Sequence, residues 1–268
     1  MRAVSLHPDV IVVTSALLQV NCVIVRGPDA AGVGETFVID SPVLPNELDA
    51  LPALIEQARF PPPSGLLATH GDWDHLLGRL AFSGVALGCA ESTAKRLAAS
   101  PGEAQRELRA FDEGLMIERA HPLALGSVQA LPVPGRCDIG ARGLELHAAG
   151  GHTLDGMALA IGWAGVLVAG DYISTVELPT LNEGGDLDAY VATLERVRGL
   201  VDDASHVVPG HGPVLGRDRA VVALTEDLAY LRSLRELGEE AELPVGRRRA
   251  VDRHTNAQNA RHLRELGN

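Results

Sequence analysis

Five short polar segments, each closing an apolar run, constrain this chain more than any other feature. They are FVIDSP (37–42), THGDWDH (69–75), GGHT (150–153), AGDY (169–172) and PGHG (209–212). Side chains at a strand end stand on a rigid frame, while the backbone just beyond is free to turn. Neighbouring glycines permit the sharp turn that aims His or Asp into a shared cleft. Imidazole and carboxylate are the donors expected for Zn²⁺, or for the harder Mn²⁺ and Fe²⁺. His70, Asp72, Asp74 and His75 fall within six residues. A strand-to-helix turn can present such a group to two ions about 3.5–4 Å apart, as dinuclear hydrolytic sites require. Alone, it also reads as a polar helix start in which Asp72 or Asp74 caps the turn. The ordered series of similar segments favours metal.

The runs between these segments predict a mixed α/β chain. Residues 10–25 and 36–40 are β-branched and read as opening strands around a Gly-rich turn at 27–35. Residues 46–59 have helical apolar spacing, and 66–69 form a short strand ending at His70. Helices are expected at 90–99, 103–112, 186–200, 217–237 and 253–266. Strands are expected near 127–133, 143–148 and 206–208, with a pair, MALAIG and GVLVAG, joined by a tight turn containing Trp163. Strands in two batches, each followed by helices, suit two sheets packed face to face with helices outside.

Composition narrows the classes further. With 268 residues and 46% hydrophobic content, the chain can bury a large core, and disorder does not fit. A net charge of −12 argues against nucleic acid and anionic membranes as partners. No run reaches the roughly 18 apolar residues of a membrane helix. The first residues lack a signal-peptide stretch, and Cys22, Cys89 and Cys137 form no pair motif, so the expected compartment is the cytoplasm. Arg247-Arg248-Arg249 reads as a solvated turn, or as an anion patch.

HGDWDH, GGHT, AGDY and PGHG, in that order, resemble the metallo-β-lactamase superfamily, whose hallmark is HxHxDH followed by Gly-His-Thr, Gly-Asp and Gly-His-Gly segments. The resemblance covers roughly residues 10–215 and implies a four-layer αββα sandwich. It divides the chain into a domain at 1–216 and a helical extension at 217–268 packed on it. By position it implies His70, Asp72 and His152 at a first metal, Asp74, His75 and His211 at a second, and Asp171 bridging them. It implies two divalent ions, Zn²⁺ foremost with Mn²⁺ or Fe²⁺ as alternatives, and a bridging hydroxide. Two positions depart from the pattern. Asp72 replaces the second histidine, giving HxDxDH, and Asp40-Ser41-Pro42 replaces an Asp-Thr-Gly. An aspartate oxygen reaches about as far as a histidine Nδ1, so Asp72 remains a credible ligand.

The implied activity is hydrolysis of a small ester, thioester, lactone or related substrate, with Asp74 relaying a proton to the leaving group. Two other activities stand beside it: a mononuclear iron persulfide-dioxygenase-like reaction, and a metal-dependent nuclease or phosphodiesterase. Among other residues, Asp40 reads as orienting a ligand histidine. Tyr172 is a core residue or an oxyanion donor, and Trp73 is packing or a lip over the cleft. His147 and His206 face away from the ligands. His254 is a solvated helix start or a substrate contact. Substrate identity, expected to lie in loops 41–46, 112–142 and 174–185, and oligomeric state are left open by the sequence.

Overall fold

Alternation along the strands sorts their side chains into three layers. In β2 (Val10–Thr14) and β3 (Asn21–Gly27), Val10, Val12, Val23 and Val25 face one way and Val13, Cys22 and Ile24 the other. The pairing Val12↔Val23 and Val10↔Val25 keeps each set on its own face. Both sets are buried because both faces of the sheet are covered. This is a computed structural model, and it describes residues 1–29, 34–182 and 184–267. Residues 30–33 of the Gly-rich turn expected at 27–35 lie outside the described residues.

The first sheet has seven strands in sequence order: β1 (Arg2–His7), β2, β3, β4 (Glu35–Ile39), β5 (Pro63–Leu67), β6 (Leu87–Ala90) and β7 (Val128–Leu131). Helices α1 (Pro45–Gln57), α2 (Gly78–Ala81), α3 (Glu91–Ala99) and α4 (Glu103–Leu115) accompany it. Leu48, Leu51, Ile55 and Leu108 from these helices pack on Ile24, Val38 and Leu66. The second sheet contains β8 (Gly135–Ile139), β9 (Arg142–Ala148), β10 (Met157–Ile161), β11 (Val166–Gly170), β12 (His206–Pro209) and β13 (Leu215–Gly216). Its outer face carries α5 (Leu187–Asp203), α6 (Arg217–Leu237) and α7 (Ala250–Leu266). Val166 and Val168 point inward to meet Val12 and Val23, whereas Leu167 and Ala169 point outward to Leu194 and Leu224. Helix, sheet, sheet and helix form the expected four layers.

Three departures from the sequence reading have physical causes. Residues 10–25 are two strands, because residues 15–20 form a turn with positive φ at Leu18 and Gln19. Strands β1, β8 and β13 were not anticipated. All three are sheet edges, and none carries the apolar alternation that a doubly covered strand shows. Strand β6 was missed as well, its four residues being too few to show a period. No helix among the described residues is long and apolar enough to cross a membrane.

Candidate metal centre

The C-terminal ends of β4, β5, β9, β11 and β12 open on one edge of the sandwich, and each delivers part of the centre. His70 follows β5, and a short 3₁₀ turn at Trp73–His75 brings Asp74 and His75 round beneath it. His152, Asp171 and His211 follow β9, β11 and β12. The two sheets are tied together here: Asn21 N–H donates to the Gly210 carbonyl at 2.8 Å, and its side chain donates to the carbonyls of Pro209 and Gly212. Two glycines are demanded by space. A Cβ on Gly210 would stand 1.9 Å from Asp171 Oδ1, and one on Gly151, at φ +125°, would stand 2.2 Å from the Tyr190 nitrogen.

Asp171 is the hub. Its Oδ2 lies 3.7 Å from His70 Nε2, 3.3 Å from His152 Nε2 and 3.4 Å from His211 Nε2. Its Oδ1 lies 3.2 Å from His75 Nε2. Asp74 Oδ2 stands 3.4 Å from His211 Nε2 and 3.9 Å from His75 Nε2. Two donor sets result, His70–His152–Asp171 and Asp74–His75–His211, each with its donor atoms within 4.8 Å of one another.

The far nitrogen of each ring is held. His152 Nδ1 lies 2.8 Å from the Thr180 carbonyl and His211 Nδ1 2.9 Å from that of Leu18. A carbonyl only accepts, so Nδ1 is the protonated nitrogen and Nε2 keeps its lone pair for the centre. Thr69 Oγ1 donates to Asp40 Oδ2 at 2.9 Å and so accepts from His70 Nδ1 at 3.1 Å. Asp40, at φ +55°, places Oδ2 3.0 Å from His75 Nδ1 and takes the Thr69 N–H on Oδ1. Asp40 orients a histidine, as its position after β4 suggested.

Electrostatics in the metal-free chain follow from this crowding. Burial pushes the His75 imidazole down, but Asp171, Asp40 and Asp74 outweigh it and hold its pKa well above the ordinary value. The same opposition raises His152 well above its ordinary value and His211 to about 10. Burial pushes Asp171 up, and His211, His75 and His70 bring it well below the usual carboxylate range. The donor chemistry fits a metal pair. Four neutral-capable imidazoles and carboxylates converge, and His70 Nε2, His75 Nε2 and Asp171 Oδ1 are buried without a hydrogen-bond partner.

Asp72 sits differently. Its Oδ2 is 3.6 Å from His70 Nε2 and 3.4 Å from His152 Nε2, yet it accepts from Asn182 Nδ2 at 2.8 Å. Its Oδ1 accepts from Arg96 Nη1 at 2.7 Å, and the same nitrogen donates to buried Asp155 at 3.0 Å. Asp155 also accepts the Gly71 N–H at 2.9 Å. Arg96, Asp155 and Asn182 were not singled out from the sequence; only Asp155, two residues beyond GGHT, lay near a motif.

A cleft of about 870 Å³ opens over Asp72, Asp74, Asp171 and His211, a size suited to a small molecule. Trp73 packs against Phe111, the rings tilted by 42° with centroids 4.5 Å apart, and forms one wall. Tyr172 is a core residue, its hydroxyl donating to the Ala149 carbonyl and accepting the His152 N–H. His254 is exposed and does not line the cleft, whereas Val251, Asp252 and Thr255 on the same helix do. His147 and His206 do not line it either. The Arg cluster is a solvated turn only in part, with Arg248 and Arg249 exposed. Arg247 is buried against Asp227, and Arg249 pairs with Asp252 at the cleft rim.

Comparison with known proteins agrees with this architecture. The fold is similar to that of a metallo-beta-lactamase family protein from Thermus thermophilus, with TM-score 0.68, 19% identity, and coverage of 98% of this chain and 95% of that one. A beta-lactamase domain protein from Burkholderia ambifaria gives TM-score 0.66 and 20% identity over 99% of this chain and 87% of that one. The inverting sec-alkylsulfatase Pisa1 from Pseudomonas sp. gives 0.74 and 15% over 99% of this chain and 50% of that one. At such identities the likeness carries the fold and no substrate. Among curated proteins there is no significant sequence match. The family model for the metallo-beta-lactamase superfamily matches residues 16–211, and the chain therefore belongs to that superfamily.

Proposed function

We propose that this protein is a dinuclear metal-dependent hydrolase acting on a small ester, thioester, lactone or related substrate. The observation that carries the reading is Asp171, one carboxylate approached by four imidazole Nε2 atoms from both donor sets. A shared carboxylate is what a two-ion centre needs between its ions. His70, Asp72 and His152 would hold the first ion, Asp74, His75 and His211 the second, and Asp171 both. When bound, divalent ions polarise a substrate oxygen and lower the pKa of water from about 15.7 to about 7. Zn²⁺ suits this nitrogen-rich set, and Mn²⁺ or Fe²⁺ also fits its carboxylates.

The chain's own side chains supply the rest. The carbonyls of Thr180 and Leu18 hold Nδ1–H of His152 and His211, so the proton each ring gives up to an ion comes from Nε2. Asp74 faces the cleft beside His211 and is the carboxylate placed to take a proton and hand it to the leaving group. The Trp73–Phe111 wall shields one side of the reacting centre from water.

The test is metal analysis joined to a substrate panel. Two ions per chain, with turnover of an ester, thioester, lactone or phosphodiester that is lost in Asp74→Ala, is the expected result. Full occupancy with no turnover across the panel would sink the hydrolase reading. One iron per chain with oxygen uptake on glutathione persulfide would replace it with an oxygenase.

A further inference from the structure

Asp72 is the one position at which this chain departs from HxHxDH, and its surroundings depart with it. Two divalent ions (+4) with Asp72, Asp74 and Asp171 (−3) leave +1 at the centre, where a histidine at 72 would leave +2. Both carboxylate oxygens of Asp72 are engaged: Oδ2 accepts from neutral Asn182, and Oδ1 accepts from the Arg96 guanidinium. Arg96 comes from α3, runs beneath Gly71, whose added Cβ would stand 3.4 Å from it, and is shared with Asp155 behind the centre. A cation bonded to a ligand carboxylate withdraws charge from it and turns one oxygen away from the centre. This is opposite in sign to Asp40, a carboxylate behind a ligand imidazole, which strengthens its ligand.

We propose that Arg96 is a positioning residue that tempers the first donor set, leaving Asp72 a single, charge-depleted oxygen for the ion, with Asp155 holding Arg96 in place. The inference rests on the two-ion reading of the centre. Asp155 shares the guanidinium and so decides how much of its charge Asp72 feels. Removing Arg96 and removing the Asp155 charge should therefore act in opposite directions. Arg96→Gln returns full charge and both oxygens to Asp72, whereas Asp155→Asn leaves the whole guanidinium on Asp72. If the Asp155–Arg96–Asp72 chain were only a scaffold, breaking it at either end would weaken ion binding.

The experiment is a competitive Zn²⁺ titration of the full chain against a chelating indicator, read as two steps. His152→Ala and His211→Ala assign the steps to the first and second donor sets. The expected result for Arg96→Gln is first-step binding at least about tenfold tighter, because a cation beside a divalent ion is lost at an effective dielectric of about 20. Asp155→Asn should bind the first ion more weakly, and Arg96→Lys, which keeps the charge, should stay near wild type. The second step should be unchanged in all three and so reports correct folding. Weaker first-step binding in both Arg96→Gln and Asp155→Asn would overturn the proposal, as would Arg96→Lys matching Arg96→Gln. If Arg96→Gln does not fold, tighter binding by Asp155→Asn overturns it alone. A wild-type chain that takes up fewer than two ions instead refutes the two-ion reading, independently of these signs.

Discussion

Replacing Asp40 by Asn tests how far the second layer of contacts governs ion binding. Two hydrogen bonds and one ion pair converge on this carboxylate: Thr69 N–H donates to Oδ1 at 2.8 Å and Thr69 Oγ1 to Oδ2 at 2.9 Å, and His75 Nδ1 lies 3.0 Å from Oδ2. An amide offers one oxygen and one NH₂, so in either orientation a buried N–H would face another. The lost contact to a charged group is worth about 1.5–3 kcal/mol, and loss of such an outer partner costs about ten- to hundredfold in metal affinity. A second effect runs the other way. Asp40 helps hold the His75 pKa above its ordinary value, so its removal eases proton loss from the ring. Protons compete with metal most strongly in acid. The affinity deficit of Asp40→Asn should therefore be largest near about pH 8 and narrow toward about pH 6. Zn²⁺ titration against a chelating indicator across that range reads both terms. Affinity within twofold of wild type at the alkaline end, or a deficit that widens in acid, would refute the reasoning.

Three further outcomes follow from single contacts. Gly210→Ala puts a Cβ where Asp171 Oδ1 lies, so mass spectrometry of the intact variant should show loss of both ions. In the chelated chain, the raised pKa values of His75, His152 and His211 mean that imidazolium–carboxylate pairs stabilise the fold fully below the ordinary histidine value of about 6.5. That contribution is lost as pH climbs toward about 10, so the Tm of the metal-free chain should fall over this range while that of the loaded chain holds. Arg247→Met leaves Asp227 buried without its partner and should cost about 3–5 kcal/mol in urea unfolding. Asp227 already has its pKa pushed up to about 6, so the loss should shrink at lower pH, where it can take up a proton.

The converging His and Asp side chains were legible because their chemistry leaves few choices. His and Asp are side chains able to bind ions, each group follows an apolar strand, and the glycines beside them mark turns. The αββα layering was equally legible, since strands apolar on both faces require cover on both. What escaped notice depends on distant partners. Arg96 reaches Asp72 from 24 residues away and Asp155 from 59, while Asn182 reaches Asp72 from 110. An arginine on an amphipathic helix has no local mark of that role. The turn at residues 15–20 was hidden for a related reason. Leu17 and Leu18 continue the apolar run, but Ser15 N–H donates to the Val20 carbonyl and Gly212 N–H to that of Gln19. Contacts to β12 and its following loop, rather than the local sequence, stabilise the positive φ at Leu18 and Gln19 and turn the Leu18 carbonyl toward His211.

The segment at 176–182 carries Thr180, which holds His152, and Asn182, which holds Asp72, so its position bears on the first donor set more than the second. It is gripped from the C-terminal side, beyond the residues matched by the family model. Arg247 donates to the Glu177 carbonyl and Arg249 to that of Val176. Asn259, fully buried on α7, accepts the Leu181 N–H at 2.9 Å and donates to the Pro179 carbonyl at 2.7 Å. Asn259→Ala removes both bonds and strands the Leu181 N–H, a cost of about 1–3 kcal/mol. The displaced segment moves Thr180 and Asn182 together. First-ion affinity should fall more than second-ion affinity, because His211 Nδ1 is held by the Leu18 carbonyl at 2.9 Å and meets this segment only through a longer, 3.6 Å contact with Glu177. KM should rise more than kcat falls, since Val176, Leu178 and Thr180 line the cleft. Equal weakening of both ions, measured in one two-step titration, would mean that α7 supports the fold in general and has no particular hold on the first donor set.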